Sequence, residues 1–242
     1  MDFHSITRDL TLGSLKRLSS VDRFCGHTVY VPALMARRVT IVDGGGNIGA
    51  FAGAISRRFH ATVYSFEPNS AFHQQLSAHN TKLIPKALAA HVGETTFYRS
   101  SNNEAGNLLG PVDFVSAVTV PTTTLEQFLT AEAIQHVDLL KLDIEGSEIE
   151  VLRSLPHRIL RGIDQITVEY HEEIYPDHAA AISEIDRRLI GFGFRRYRFS
   201  YPGLHDILYL NSSVDVPRCR LRLAAGVAQL ARKILAFLPV AA

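Results

Sequence analysis

The sequence predicts an α/β fold, a mostly parallel sheet of about seven strands with helices on both faces. Three observations predict it. From Val39 onward, short β-rich runs alternate with amphipathic stretches, the pattern of a parallel sheet covered by helices. A glycine-rich turn, Gly44-Gly45-Gly46-Asn47-Ile48-Gly49, joins the first run to the first amphipathic stretch. Acidic residues then recur at the ends of successive runs, at Asp43, Glu67 and Asp143, and open sheets hold ligands beyond the carboxyl ends of their strands.

The elements follow in order. Val39 to Val42 is the first strand, and the helix after the glycine turn places Ile48, Phe51, Ala52, Ile55 and Phe59 on one face. Thr62 to Phe66 is the second strand, closed by Glu67-Pro68-Asn69, a strand-to-helix turn. The third lies around Leu83 to Leu88. Gly93 to Arg99 and Val115 to Val120 read as extra strands around a polar loop, Ser100 to Gly110. Thr122 to Thr124 cap a helix over Leu125 to Leu129. Val137 to Leu142 and Ile163 to Tyr170 are the fourth and fifth strands. A helix over Ala179 to Ile190 precedes a last pair, Phe194 to Phe199 and Asp206 to Leu210, antiparallel in one reading. Three regions result: an N-terminal extension or lid over residues 1–38, the α/β domain over 39–212, and a basic amphipathic helix over 213–242. In the extension, Leu10 to Phe24 reads as a helix and Thr28 to Val31 as a short edge strand.

Of the 242 residues, 46% are hydrophobic, enough for one substantial core. The 25 basic and 24 acidic residues nearly cancel, so no global field attracts nucleic acid. Cys25 and Cys219 fit neither a disulfide framework nor a zinc pattern. No signal peptide opens the chain, and no apolar run reaches the roughly 20 residues that span a bilayer. The expectation is a cytoplasmic protein.

Gly44, Gly46 and Gly49 satisfy the G-x-G-x-x-G pattern of dinucleotide sites. Asp43 alters that reading, because a carboxylate beside the turn repels a pyrophosphate. S-adenosylmethionine brings an ammonium and a sulfonium instead, and an acid at the strand end attracts both. Glu67 lies 24 residues after Asp43, near the spacing at which an acid meets a ribose diol. The cofactor set is therefore Asp43, Gly44, Gly45, Asn47, Gly49, Glu67, Pro68 and Asn69, with Ala87 as a wall for adenine. Taken singly, Asp43 also reads as a helix cap, Glu67 as a solvated strand end and Ala87 as core.

Val42-Asp43-Gly44-Gly45-Gly46-Asn47-Ile48-Gly49, Phe66-Glu67-Pro68-Asn69, Leu140-Lys141-Leu142-Asp143-Ile144-Glu145-Gly146-Ser147-Glu148 and Val168-Glu169-Tyr170-His171 together resemble the successive signatures of FkbM-type methyltransferases. The resemblance covers about Val39 to His171. It implies a Rossmann-like class I methyltransferase that uses S-adenosylmethionine to methylate hydroxyls of sugars, glycolipids or polyketide-type natural products. Gly46 stands where that family usually has alanine, and the arginine-rich tail has no counterpart in it.

Lys141, Asp143 and Glu145 alternate, so a continuing strand points all three to one side. A structural ion pair is one account of them. The other sets Asp143 beside the methyl donor and the acceptor hydroxyl, Glu145 on substrate or a divalent cation, and Lys141 holding the carboxylates. His171 is the natural base because imidazole titrates near neutrality; Asp143 competes for that role, and Glu169 orients His171 or pairs with Lys141. Asp143, Glu145, Glu169 and His171 also offer oxygen and nitrogen ligands to Mg²⁺, and the metal is left unassigned. No Asn- or Asp-Pro-Pro-aromatic turn follows the fourth strand and the chain lacks tryptophan, which argues against methylation of a nucleic-acid base. The alternatives are an NAD(P)-dependent oxidoreductase, against which Asp43 and the absence of a Tyr-x-x-x-Lys pair count, and a non-catalytic binding module.

In the tail, Leu223, Val227, Leu230, Ile234 and Leu238 share one helical face beside Arg218, Arg220, Arg222, Arg232 and Lys233. Such a helix can lie on anionic lipid. Packing on the body, or on a second subunit in a homo-oligomer, is the commoner fate of the stripe and the expectation here.

Overall fold

The computed structural model describes residues 20–36, 38–79, 81–100, 106–107, 109, 114–172 and 178–236. In chain order the strands are β1 (Val21–Phe24), β2 (His27–Tyr30), β3 (Val39–Gly44), β4 (Ala61–Phe66), β5 (Lys82–Ile84), β6 (Ala87–Leu88), β7 (Gly93–Ser100), β8 (Gly106–Asn107), β9 (Phe114–Thr123), β10 (Leu139–Leu142), β11 (Gln165–Val168), β12 (Phe194–Arg198) and β13 (Ile207–Asn211). The helices are α1 (Ala50–Arg58), α2 (His73–Ser77), α3 (Leu125–Ala131), α4 (Glu148–Ser154), α5 (His157–Arg161), α6 (His178–Gly191) and α7 (Arg218–Ala236).

Seven strands form the main sheet in the order β12-β13-β11-β10-β3-β4-β5. β11, β10, β3, β4 and β5 pair in parallel, while β13 runs antiparallel to both β11 and β12. Alternation along each strand divides its side chains between two cores. Leu140, Leu142, Ile166 and Val168 join the cluster under α3, α4 and α6. Val39, Ile41, Val63 and Leu139 face α1, with Phe51, Ala52 and Ile55 completing that side. The predicted α/β architecture, with helices on both faces and a final antiparallel pair, is what the chain forms.

Several elements differ from the sequence reading. The third strand divides: Lys82–Ile84 stays in the main sheet, and Ala87–Leu88 turns into a second sheet of order β6-β9-β7-β8. Ile48 is exposed because α1 begins two residues later, after Gly49 in the left-handed region. Val21–Phe24 is a strand, not the end of a helix, and pairs with His27–Tyr30 in a ribbon apart from the main sheet. Cys25 (φ 45°) and Gly26 (φ 99°) join these two strands, the two positive φ angles of a type I′ hairpin turn. Residues 10–19 of that predicted helix lie outside the described residues, as does Leu238.

The ribbon is fastened to the sheet by side chains. Tyr30 N donates to Gln165 Oε1 at 2.8 Å, and Gln165 Nε2 donates back to Tyr30 O at 3.2 Å. Thr28 donates through N and Oγ1 to the two carboxylate oxygens of Asp206, each at 2.9 Å. Arg23 Nε reaches the same carboxylate at 3.1 Å. The described part of the N-terminal extension is thus packed, with Val29 and Leu34 in the core.

The predicted apolar stripe of helix α7 does not pack on the body of the chain. Its buried face is Leu221, Ala224, Ala225 and Ala228, set against Tyr197, Leu208 and Leu210. Leu223, Leu230 and Ile234 are 54–59% exposed. The small alanines let the helix approach the sheet closely, and the larger leucines one step round are left outward. Among the described residues, no helix is long and apolar enough to cross a membrane.

Candidate active site

The carboxyl edge of the parallel strands carries the site. β3 and β10 pair with Asp43 directly beside Lys141, so their side chains share a face. Lys141 Nζ lies 3.1 Å from Asp43 Oδ1 and 3.5 Å from Asp143 Oδ2, and donates to the carbonyls of Gly44 at 3.1 Å and Gly45 at 2.7 Å. Ser65 Oγ donates to the other Asp43 oxygen at 3.0 Å. Asp43 is completely buried. Its charge is matched by Lys141 and does not stand open at the turn, which corrects the electrostatic picture drawn from sequence. Asp43 is also no helix cap, since α1 is entered through Gly49. Burial works to strip Lys141 of its proton, but Asp43 and Asp143 outweigh it and raise its pKa.

The glycine turn is fixed by its backbone. Gly45 sits at φ +82°, and a Cβ there would stand 1.8 Å from the Asp143 carbonyl. Gly46 is less constrained; a Cβ there would press on the end of the Leu76 side chain at 2.9 Å and on Ser65 Cβ at 3.1 Å. Glu67 ties the turn to the next strand end: it accepts from Asn47 N and from Asn69 N, both at 2.7 Å. The Asn69 side chain accepts from Ala71 N and caps the following short turn of helix. Glu67 is 5% exposed, and burial raises its pKa against these two hydrogen bonds.

A cavity of roughly 420 Å³ opens above the turn, lined by Gly45, Gly46, Asn47, Phe72, Lys141 and Asp143, with Cys25 and His27 from the ribbon. That volume is within the range of small-molecule sites, about 300–1,000 Å³. Ala87 takes no part in it and packs with Phe97 and Val120 in the core of the second sheet.

Beyond Asp143 lies a cluster of ionisable groups. The strand stops at Leu142, so alternation does not aim Glu145. Glu145 (φ 55°) and Gly146 (φ 101°) form a left-handed turn instead, held by Glu148 Oε1, which accepts from Ile144 N at 2.8 Å and Gly146 N at 3.2 Å. His171 Nδ1 lies 3.2 Å from the same Glu148 oxygen, and its Nε2 is 3.4 Å from Glu145 and 3.7 Å from Asp143. His27 was not singled out from sequence. It is fully buried, with Nε2 at 3.4 Å from Asp143 Oδ2 and 3.9 Å from Glu169 Oε2, and its ring meets Phe51 edge-on. The signal that could have found it is Cys25-Gly26 between two β-rich tetrads, a hairpin pattern.

These neighbours set the protonation states. Burial acts against a charge on His171, but Glu148 first, then Glu145 and Asp143, push its pKa up to about 10. Burial also opposes the Asp143 charge, and Lys141, His27 and His171 overcome it and hold that carboxyl well below its usual range. Both groups offered as bases are therefore poor proton acceptors near neutral pH. Glu145 and Glu169 shift the other way, raised by burial and, beyond that, by repulsion from Asp143. Ligand atoms of His27, Asp143 and Glu169, and of Asp143, Glu145 and His171, each lie within 4.8 Å of one another, so either triad could take a divalent cation.

An open parallel sheet with a glycine turn, a cleft above it and carboxylates at successive strand ends defines an α/β protein that holds its ligand at the carboxyl edge. Residues 43–201 match the family described as the Methyltransferase FkbM domain, and the chain belongs to that family. It is 27% identical over 140 residues to the hexuronic acid methyltransferase AglP of Haloferax volcanii, covering 55% of this chain and 56% of that protein. Methyltransferase 1 of Beauveria bassiana is 29% identical over 160 residues, covering 53% and 63%. The chain thus spans little more than half the length of the curated relatives it matches. The solved fibrillarin/Nop5p complex is a looser likeness, at 12% identity, 72% and 71% coverage and a TM-score of 0.41.

Proposed function

We propose that this chain is an S-adenosylmethionine-dependent O-methyltransferase whose acceptor is a hydroxyl of a sugar-containing or polyketide-type small molecule. The observation that carries this reading is the cleft above Gly45–Asn47, with the Asp143 carboxylate on its wall. Asp143, Glu145 and Glu169 are 27–30% exposed and give that edge a negative rim, which suits a cationic cofactor and disfavours a pyrophosphate. Gly45 and Gly46 present bare backbone to the cleft, which fits close approach of such a ligand. The relative that acts on hexuronic acid supports a sugar acceptor.

When bound, the cofactor would supply a methyl group on a sulfonium, a centre whose leaving group is a neutral thioether. The chain's own residues do the rest. Lys141 fixes the turn through two carbonyls and Asp43. Glu67 keeps the turn in register with β4, and its remaining lone pairs can accept from a ribose diol. Asp143 steadies positive charge, and His171, protonated, donates to the acceptor or to Glu145. We assign removal of the hydroxyl proton to Glu145 or Glu169, the partly exposed carboxylates beside Asp143 whose affinity for it is raised. Alignment can contribute up to about 7–11 kcal/mol and a base about 10²–10⁴-fold, so positioning is the larger share.

Calorimetry tests the reading. S-adenosylmethionine and S-adenosylhomocysteine are expected to bind and NAD(P) not to; the reverse result rejects it. Glu145→Gln and Glu169→Gln separate the two bases, because only one should abolish the acidic limb of the rate profile. Activity that survives exhaustive chelation leaves the proton to that carboxylate alone, whereas activity restored only by added Mg²⁺ assigns a triad to the metal.

A further inference from the structure

We propose that the exposed face of α7 is a docking surface for an anionic lipid bilayer. Leu223, Leu230 and Ile234 stand outward at 56%, 59% and 54% exposure, two and three turns apart on one face, with half-buried Val227 between them. The opposite face, Leu221 to Ala228, is already occupied by the body. On the helical wheel Arg222 and Lys233 border this stripe on one side and Arg220 on the other, all exposed. The helix, RCRLRLAAGVAQLARKILA, contains no acidic residue. An outward apolar stripe between basic margins is the make-up of a helix that lies in the headgroup region.

Charge decides between the two occupants such a stripe can have. A second copy docking by a two-fold axis presents the same Arg and Lys margins and brings like charges together. An anionic headgroup layer complements both margins at once.

The helix also sits beside the site. Near its end, Arg232 Nη2 reaches Asp206 Oδ2 at 3.5 Å and Gln229 Nε2 donates to Arg198 O at 2.8 Å. Asp206 is the carboxylate that holds Thr28, next to His27. The helix that would lie on lipid is thus tied, through Asp206, to the ribbon that carries His27.

Co-sedimentation of the full chain with vesicles tests the proposal, using phosphatidylcholine alone and phosphatidylcholine mixed with phosphatidylglycerol. About tenfold stronger binding to the anionic vesicles is expected, weakening as salt is raised. Leu223→Ser/Leu230→Ser/Ile234→Ser should abolish it, and Arg222→Gln/Lys233→Gln should lower it. Circular dichroism and calorimetric binding of S-adenosylmethionine should be unchanged in both variants. That second readout separates failure here from failure of the methyl-transfer reading, since vesicle binding needs no acceptor. If the triple variant unfolds, the charge variant and the salt series decide. Equal binding to both vesicles, no binding, or a dimer that the triple variant dissociates overturns the proposal.

Discussion

Asp43 and Lys141 meet across two adjacent parallel strands, whereas His27, Glu145, Glu169 and His171 arrive from a ribbon, a left-handed turn and a strand end. The first pair is completely enclosed, matched in charge and bonded to the turn it supports. The second group keeps its two carboxylates partly open to solvent. The contrast teaches where each kind of residue does its work. Buried charge at the glycine turn sets shape, and half-exposed charge beyond it is left available for chemistry.

Breaking the enclosed half should have the largest effect. Lys141→Met leaves Asp43 buried without its cation and is expected to cost about 3–5 kcal/mol in denaturant unfolding. Adding Asp43→Asn should restore much of that, because the uncompensated charge is then gone. If the single and double variants lose the same amount, the pair is not the support described here. Gly45→Ala comes next: with φ positive and the Asp143 carbonyl in the way, a loss of about 3–5 kcal/mol is expected. Gly46→Ala needs Leu76 and Ser65 to give by a few tenths of an ångström and should cost less, about 1–3 kcal/mol, with cofactor binding intact.

Changes in the open half should move rate and pH response more than folding at neutral pH. His171→Gln is expected to lower kcat by about 10²-fold. In the native chain this imidazole contributes stability that is fully present below its ordinary pKa of 6.5 and is lost as pH rises through about 10. Melting temperatures followed across that window should fall with pH in the native chain and fall less in the variant. The smallest effect sits in the ribbon that delivers His27. Cys25→Asn suits the left-handed first position of an I′ turn and should stabilise by about 0.5–1 kcal/mol, read as a small rise in Tm.

In the enclosed half the glycine turn and the two strand ends are legible in the sequence, because local rules write them. The pairing of Asp43 with Lys141 is not, since it depends on the register of two strands nearly a hundred residues apart. The open half is less legible for a physical reason. Glu145 owes its direction to a turn held by Glu148, and His27 owes its place to Asp206 and Gln165, which lie far along the chain. Protonation escapes the sequence for the same cause: His171 looks like a base until Glu148, Glu145 and Asp143 surround it. On α7 the period of the apolar residues is plain, but only the close fit of alanines against the sheet reveals which stripe is buried.

Asp206 has a consequence of its own. Fully enclosed, it grips Arg23 and Thr28 of the ribbon and Arg232 of the last helix. Chain segments from opposite ends are thereby knotted at one carboxylate, a single residue from His27. A load on the helix is thus passed to the ribbon that carries that imidazole.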